Sequence, residues 1–269
     1  MAIINVTTVD QFLNAFTQAV AEGDTEDVIE ILADIDFNAA PLTQGYTAGG
    51  KKIINGNYHS LSNISTQNVV NDTLFKYLDR NEIIWNKVNF LNLYRNENYN
   101  IFLGNPISQN YYQKFNDCTF QGKGYRLARY AVFTRCAITW QNTQAISNAF
   151  NDCIFNYCWI SCDIIRADAA NYDFAELKNC YIEGKITPAT GVTDGWHMCG
   201  TLENSVINVE TTLNYNRGIS GAGTISTVTV YNTTKMTGTI AAQNNITPVT
   251  DTQMKDASAL AGVGFNIIV

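Results

Sequence analysis

The 269 residues carry 17 basic against 24 acidic side chains, a formal charge of -7, with no lysine/arginine cluster to neutralise phosphates, so no nucleic acid partner is expected. A hydrophobic share of 46% with 15% charged residues is enough for one continuous core, yet no stretch approaches the roughly 18 consecutive apolar residues of a membrane span. The start, Met1-Ala2-Ile3-Ile4-Asn5-Val6, has no basic n-region, so synthesis without a secretion signal is expected, and the seven cysteines, an odd number, are expected to be free thiols.

The first predicted element is a helix. From Thr8 to Val20, the residues Val9, Phe12, Phe16 and Ala19 share one stripe, with Leu13 and Val20 beside it. Thr8 followed by Gln11 is a capping-box signature, and Gly23 lies just past the pattern. Val28 to Phe37 then reads as the first strand. Residues 1–37 are expected to form an N-terminal capping helix and first strand, 38–248 a repetitive β region, and 249–269 a C-terminal capping helix with an apolar tail, all in one structural domain.

The repetitive region carries a six-residue pattern: a large apolar residue, two turn-like residues, a small apolar residue or Cys, any residue, then a large or β-branched one. The clearest copies are Phe115-Asn116-Asp117-Cys118-Thr119-Phe120, Phe133-Thr134-Arg135-Cys136-Ala137-Ile138 and Phe150-Asn151-Asp152-Cys153-Ile154-Phe155. Others start at Leu61, Trp85, Leu177, Leu202 and Ile225, and the eight copies recur on average about every 23 residues, a length that suits one solenoid coil of short strands. In a strand, residues two apart face the same way, so Cys118 and Phe120 both point inward, and a two-residue bend brings Phe115 inward as well. Asn63, Asn86, Asn116, Asn151, Asn179 and Asn204, with Asp117 and Asp152, fill the bends, and Asn and Asp best tolerate a left-handed backbone. The expected fold is an all-β, right-handed parallel β-helix of about eight or nine coils, with an inward stack of reduced thiols at Cys118, Cys136, Cys153 and Cys180.

The long interval before Phe115 holds Tyr94, Arg95, Tyr99, Phe102, Tyr111 and Tyr112 amid asparagines, a composition suited to a contact loop. Tyr94, Tyr99, Tyr111 and Tyr112, joined by Trp140 and Trp159, are the candidate ligand contacts, with Trp196 a further aromatic. Near the C-terminus, Thr250 precedes a helical pattern over Asp251 to Ala261, with Met254, Ala257, Leu260 and Ala261 on one face and Gly262 and Gly264 as the stop. The tail residues Phe265, Ile267, Ile268 and Val269 need burial and are the candidate oligomer contact.

Val6-Thr7-Thr8-Val9-Asp10-Gln11-Phe12 through Ala33-Asp34-Ile35-Asp36, Lys52-Ile53-Ile54-Asn55-Gly56-Asn57 and the Asn/Asp-Cys-x-Phe/Ile steps resemble pectate-lyase-like β-helix proteins, particularly those of phage and Gram-positive surfaces. The resemblance covers nearly the whole chain and is one of repeat grammar. It implies a fold that hosts lyases, hydrolases, tailspikes and inert fibres alike. The acidic calcium ligands with an Arg or Lys base of the lyases, and the paired Asp with His and Arg-x-Lys of the hydrolases, find no match here. Generic carboxylate candidates are Asp117 and Asp152 with Arg135 between them, and Asp163 and Asp168 with Arg166 and Asp173. Cys158, Cys162, His197 and Cys199 have soft-ligand character, but the cysteines alternate with isoleucines as core residues of a strand, so neither metal nor cofactor is expected.

These readings lead to the expectation of a non-catalytic virion-associated structural or adhesion protein: a phage fibre, spike or head appendage on the virion surface. It is expected to be a homo-oligomer, with a trimer favoured, touching other virion proteins and host surface polysaccharide, without membrane insertion. The alternative is a polysaccharide lyase or glycoside hydrolase of the depolymerising tailspike type.

Overall fold

The computed structural model describes residues 1–38, 40, 42–65, 73–76, 82–104, 113–145, 150–167, 174–195, 197–221 and 227–265, the side chains of 96–99 and 151 aside. Among the described residues it is all-β apart from three short helices, with long parallel pairings, and it divides into two compact units, Met1–Trp140 and Gln141–Val269. Among the described residues no helix is long and apolar enough to cross a membrane.

In the first unit the strands Ala2–Val6, Asp27–Ile31, Lys52–Asn55, Ile83–Asn86, Gln113–Asn116 and Ala131–Thr134 pair successively in parallel. Their register places Ile29, Ile54, Trp85, Phe115 and Phe133 in one row, each fully buried. A second ladder, Ile35–Asp36, Ser60–Ser62, Asn89–Leu103 and Thr119–Arg129, lines up Ile35, Leu61, Phe90 and Phe120. Rings stack along each row, Phe90 with Phe120 at 4.8 Å and Phe115 with Phe133 at 5.0 Å, and meet edge-on between the rows, Phe115 with Phe120 at 5.1 Å. The first strand, Ala2–Val6, precedes the helix and was not anticipated from the sequence; its Ile4 pairs with Ile29. Residues 91–103, expected as a contact loop, instead continue a strand. Leu93 pairs with Gly122 and Phe102 with Ala128, because Phe102 has a fully buried place among Phe75, Trp85 and Phe115.

The second unit repeats the arrangement. Phe155, Leu177 and Leu202 align across the strands Phe150–Asn156, Phe174–Lys178 and Cys199–Glu203, and Ile160, Ile182 and Ile207 align across Trp159–Arg166, Tyr181–Pro188 and Val206–Glu210. This register corrects two copies of the six-residue pattern. Phe150-to-Phe155 and Phe155-to-Ile160 both satisfy it and overlap by one residue, and hydrogen bonding selects the second, with Tyr157 at the bend (φ 56) and Cys158 behind it. The last copy shifts by one: Val206 pairs with Val230, and Thr229 takes the small inward position, its Oγ1 accepting from Ser205 N at 3.1 Å.

In the copies from Leu61 to Leu202 one left-handed residue, the third of six, makes the bend. Asn63 (φ 59), Lys87 (54), Asp117 (54), Arg135 (52), Asn179 (53) and Asn204 (41) all adopt this backbone. The second residue, Asn86 or Asn116 for example, is still strand. The fourth faces inward beneath the previous copy: Cys118 Sγ donates to Trp85 O at 3.5 Å, Cys136 Sγ to Phe115 O at 3.3 Å and Cys180 Sγ to Phe155 O at 3.4 Å. All seven cysteines are free and buried, but Cys158 and not Cys153 occupies this position, preceding Cys180 and then Ser205.

Helix α1 (Val9–Thr17) is capped by Thr8, whose side chain accepts from Gln11 N, and it sets Phe12 and Phe16 against Phe75 and Trp85 at 5.4–6.2 Å. It stops before the expected Val20 because other groups take its last carbonyls. Gly49 N donates to Phe16 O, and the buried Lys52 ammonium donates to Gln18 O at 2.9 Å while pairing with buried Asp27 at 2.6 Å. A cation at a helix C-terminus also meets the negative end of the helix dipole. Gly49 is required there, since a Cβ would lie 2.0 Å from Gln18 O.

The expected single C-terminal helix is two, α2 (Asp251–Met254) and α3 (Ala257–Gly262). Asp256 breaks the run because its carboxylate accepts from Ser258 N and Ala259 N as the N-cap of a new helix. Leu260 and Phe265 pack on Val206, Val230 and Val249 from three successive strands, so this segment covers a sheet face. Phe265, expected to make an oligomer contact, is thereby 4% exposed and consumed within its own chain; Ile267, Ile268 and Val269 lie outside the described residues.

Replacing Lys52 by Met alone strands the Asp27 charge and is expected to cost about 3–5 kcal/mol, whereas Lys52→Met with Asp27→Leu recovers most of it; urea unfolding measures both. Burial, and after it the neighbouring Cys158, pushes the Cys180 thiol well above its ordinary range. The seven thiols should therefore react with a thiol reagent only on unfolding. Cys180→Asp is expected to cost several kcal/mol, with Cys180→Ser much milder because Ser205 already fills the equivalent position; melting temperatures of the two variants check the order.

Candidate functional site

The alternation that turns Ile54, Trp85 and Phe115 inward turns their C-terminal neighbours outward. Asn55, Asn86 and Asn116 are register partners, with Glu30 beside Asn55. Their side chains form a continuous chain of hydrogen bonds: Asn116 Nδ2 donates to Asn86 Oδ1 at 3.0 Å, Asn86 Nδ2 to Asn55 Oδ1 at 3.0 Å, and Asn55 Nδ2 to Glu30 Oε1 at 2.7 Å. The row ends where Thr134 replaces Asn as the next partner. An open groove over these amides is completed by Asn57, Lys87, Asp117 and Arg135.

Arg135 holds Asp117 in a two-pronged contact, Nε at 2.6 Å and Nη2 at 2.8 Å. That hydrogen bonding lowers the Asp117 pKa against a smaller opposing effect of burial, and the charges of Arg135 and Lys87 lower it further. An ionised, doubly occupied carboxylate is a poor proton donor near neutrality, so the groove offers amide donors and acceptors and a cation, which is chemistry for recognition. Lys87 lies with its ammonium 5.5 Å from the centre of the Tyr58 ring, and Tyr58 is 64% exposed.

The other candidates are dispersed. Asp152 is exposed at a left-handed residue of the second unit (φ 53). Asp163 is exposed on the strand Trp159–Arg166 beside Lys185, which pairs with Glu210 at 2.8 Å, so it belongs to a surface charge row. Trp140 is 1% exposed, in the core beneath Gly122, where no ligand reaches it; this corrects its assignment as a contact residue, and the cause is the strand alternation that buries it along with Ile138. Trp159, 42% exposed, does face outward, near the exposed Tyr157. Tyr94 is half-buried under Lys123. The Tyr99 side chain, Tyr111, Tyr112, Asp168 and Trp196 lie outside the described residues. Cys158, Cys162 and Cys199 are buried, and His197 Nδ1 donates to Gly218 O at 3.1 Å; among the described residues no group of three His, Cys, Asp or Glu side chains is placed to hold a metal.

The Asn55–Asn86–Asn116 row and the Lys87–Tyr58 pair were missed as functional residues. For Asn86 and Asn116 a signal was present: Asn recurs at the second position of the six-residue step, read as a bend and in fact an outward strand position.

The Asp117 carboxyl should titrate below its ordinary value of 3.8, and Arg135→Asn should move it back up, as followed by carboxyl NMR. Because the folded pKa is depressed, the pair's contribution to stability is present above the unfolded value and lost as pH falls through the folded one. Acid unfolding of Arg135→Asn should therefore lack that component.

The chain matches no protein-family model, no curated protein and no solved structure.

Proposed function

We propose that the chain is a right-handed parallel β-helix acting as a non-catalytic virion-associated structural or adhesion protein, a fibre, spike or head appendage. Its outer surface serves assembly or contact with host-surface glycan. The observation that carries this reading is the in-register outward amide row of Asn55, Asn86 and Asn116, a repeating polar surface made by the parallel ladder itself. Asp117, tied to Arg135, supports recognition over acid catalysis at that surface. A threefold assembly would draw on Ile267, Ile268 and Val269, since Phe265 is already buried within the chain.

The expected outcome is binding of the purified protein to host-surface polysaccharide, or its incorporation into particles, without release of reducing or unsaturated sugar ends. Release of such ends would replace this reading by a polysaccharide lyase or glycoside hydrolase. Deleting 266–269 should lower the oligomeric state measured by light scattering and leave the β circular dichroism intact, whereas Phe265→Ala should lower the melting temperature.

A further inference from the structure

We infer that the groove over Asn55, Asn86 and Asn116 binds an extended, carboxylate-bearing glycan, with Lys87 as the carboxylate anchor and Tyr58 as the stacking surface. The inference rests on glycan contact as part of the proposed function and names the class of glycan.

Each amide of the row spends one N–H on its neighbour. A carboxamide has two N–H donors and two acceptor lone pairs, so every rung keeps a donor and acceptor capacity for the groove. Parallel strands repeat these groups about every 4.8 Å, a spacing that suits the successive hydroxyls of a linear sugar chain.

The charges select among such chains. Glu30 is engaged by Asn55 and Asn57, and Asp117 by Arg135. Lys51, Lys114, Lys178, Lys185 and Lys255 each pair with a carboxylate, but Lys87 makes no ion pair among the described residues. Its backbone is left-handed (φ 54), at a position that Asn63, Asn179 and Asn204 fill in three copies and Asp117, Arg135 and Tyr157 in others, and asparagine accepts that conformation more easily than lysine. Local folding therefore does not call for lysine there. Asn57 (φ 51) and Tyr58 (φ 67) are left-handed in succession and hold an exposed aromatic ring beside that ammonium. Strained residues that set a cation in a groove over an amide row, with an exposed ring beside the cation, are the pattern of a binding site.

The test uses a panel of linear uronate- and sialate-containing oligosaccharides, each beside its carboxyl-reduced counterpart, titrated calorimetrically into the full chain at low and high salt. At least one carboxylated member should bind about tenfold more tightly than its reduced form, with the difference shrinking in salt. Lys87→Asn, which suits the left-handed backbone, should remove that difference, Lys87→Arg should keep it, and Tyr58→Asn should weaken both forms. Unchanged melting temperatures would show that the variants fold. Equal binding of both forms, or full preference retained in Lys87→Asn, overturns the inference while leaving glycan contact in place. Failure of every member to bind at millimolar concentration overturns it too, and leaves the proposed function to rest on assembly, which particle incorporation reads separately.

Discussion

A residue that must face the core three positions before another that must also face it cannot lie in one strand with it. The six-residue steps from Leu61 to Leu202 meet this constraint by placing one left-handed residue between the two, a conformation that costs a non-glycine residue about 1–2 kcal/mol. From it follow the inward rows of Trp85, Phe115 and Phe133, the thiols of Cys118 and Cys136 hydrogen-bonded to carbonyls of the preceding copy, and the outward row of amides. Lys87, Arg135 and Tyr157 occupy the bend as well as Asn does, so the requirement is geometric and the aromatic burial behind it outweighs the residue preference.

The ends of the chain are handled by different chemistry. Helix α1 brings two phenylalanines to the aromatic cluster and has its final carbonyl closed by a buried lysine, whose charge is tolerable only because Asp27 sits in register beside it. At the other end, α3 and Phe265 cover outward valines that would otherwise leave an apolar sheet face in water. Both coverings are local to their own unit.

The groove is a by-product of the same ladder. Once strands pair in register, any residue type repeated at an outward position becomes a row, and asparagine gives a row that is internally bonded yet still polar toward solvent. The departures from repetition are where selectivity resides: a lysine at a bend, an exposed tyrosine beside it, and an aspartate neutralised by an arginine from the next copy.

Spacing alone determined the presence of α1 and its Thr8 cap, the recurrence of the six-residue step, the inward cysteines and the predominance of strand, because each depends on residues within a few positions of one another. Only tertiary structure could choose between the overlapping copies at Phe150 and Phe155, since both satisfy the pattern and the hydrogen bonds of Phe155 with Leu177 decide. The same holds for residues 91–103, whose Phe102 finds a place only among Phe75, Trp85 and Phe115, and for Phe265, whose apolar partners come from three separate strands. Asn86 and Asn116 read as separate turn residues in the chain and Asn55 does not; parallel pairing brings each within 3.0 Å of the next, and a surface made of residues about thirty positions apart exists only once that register is set.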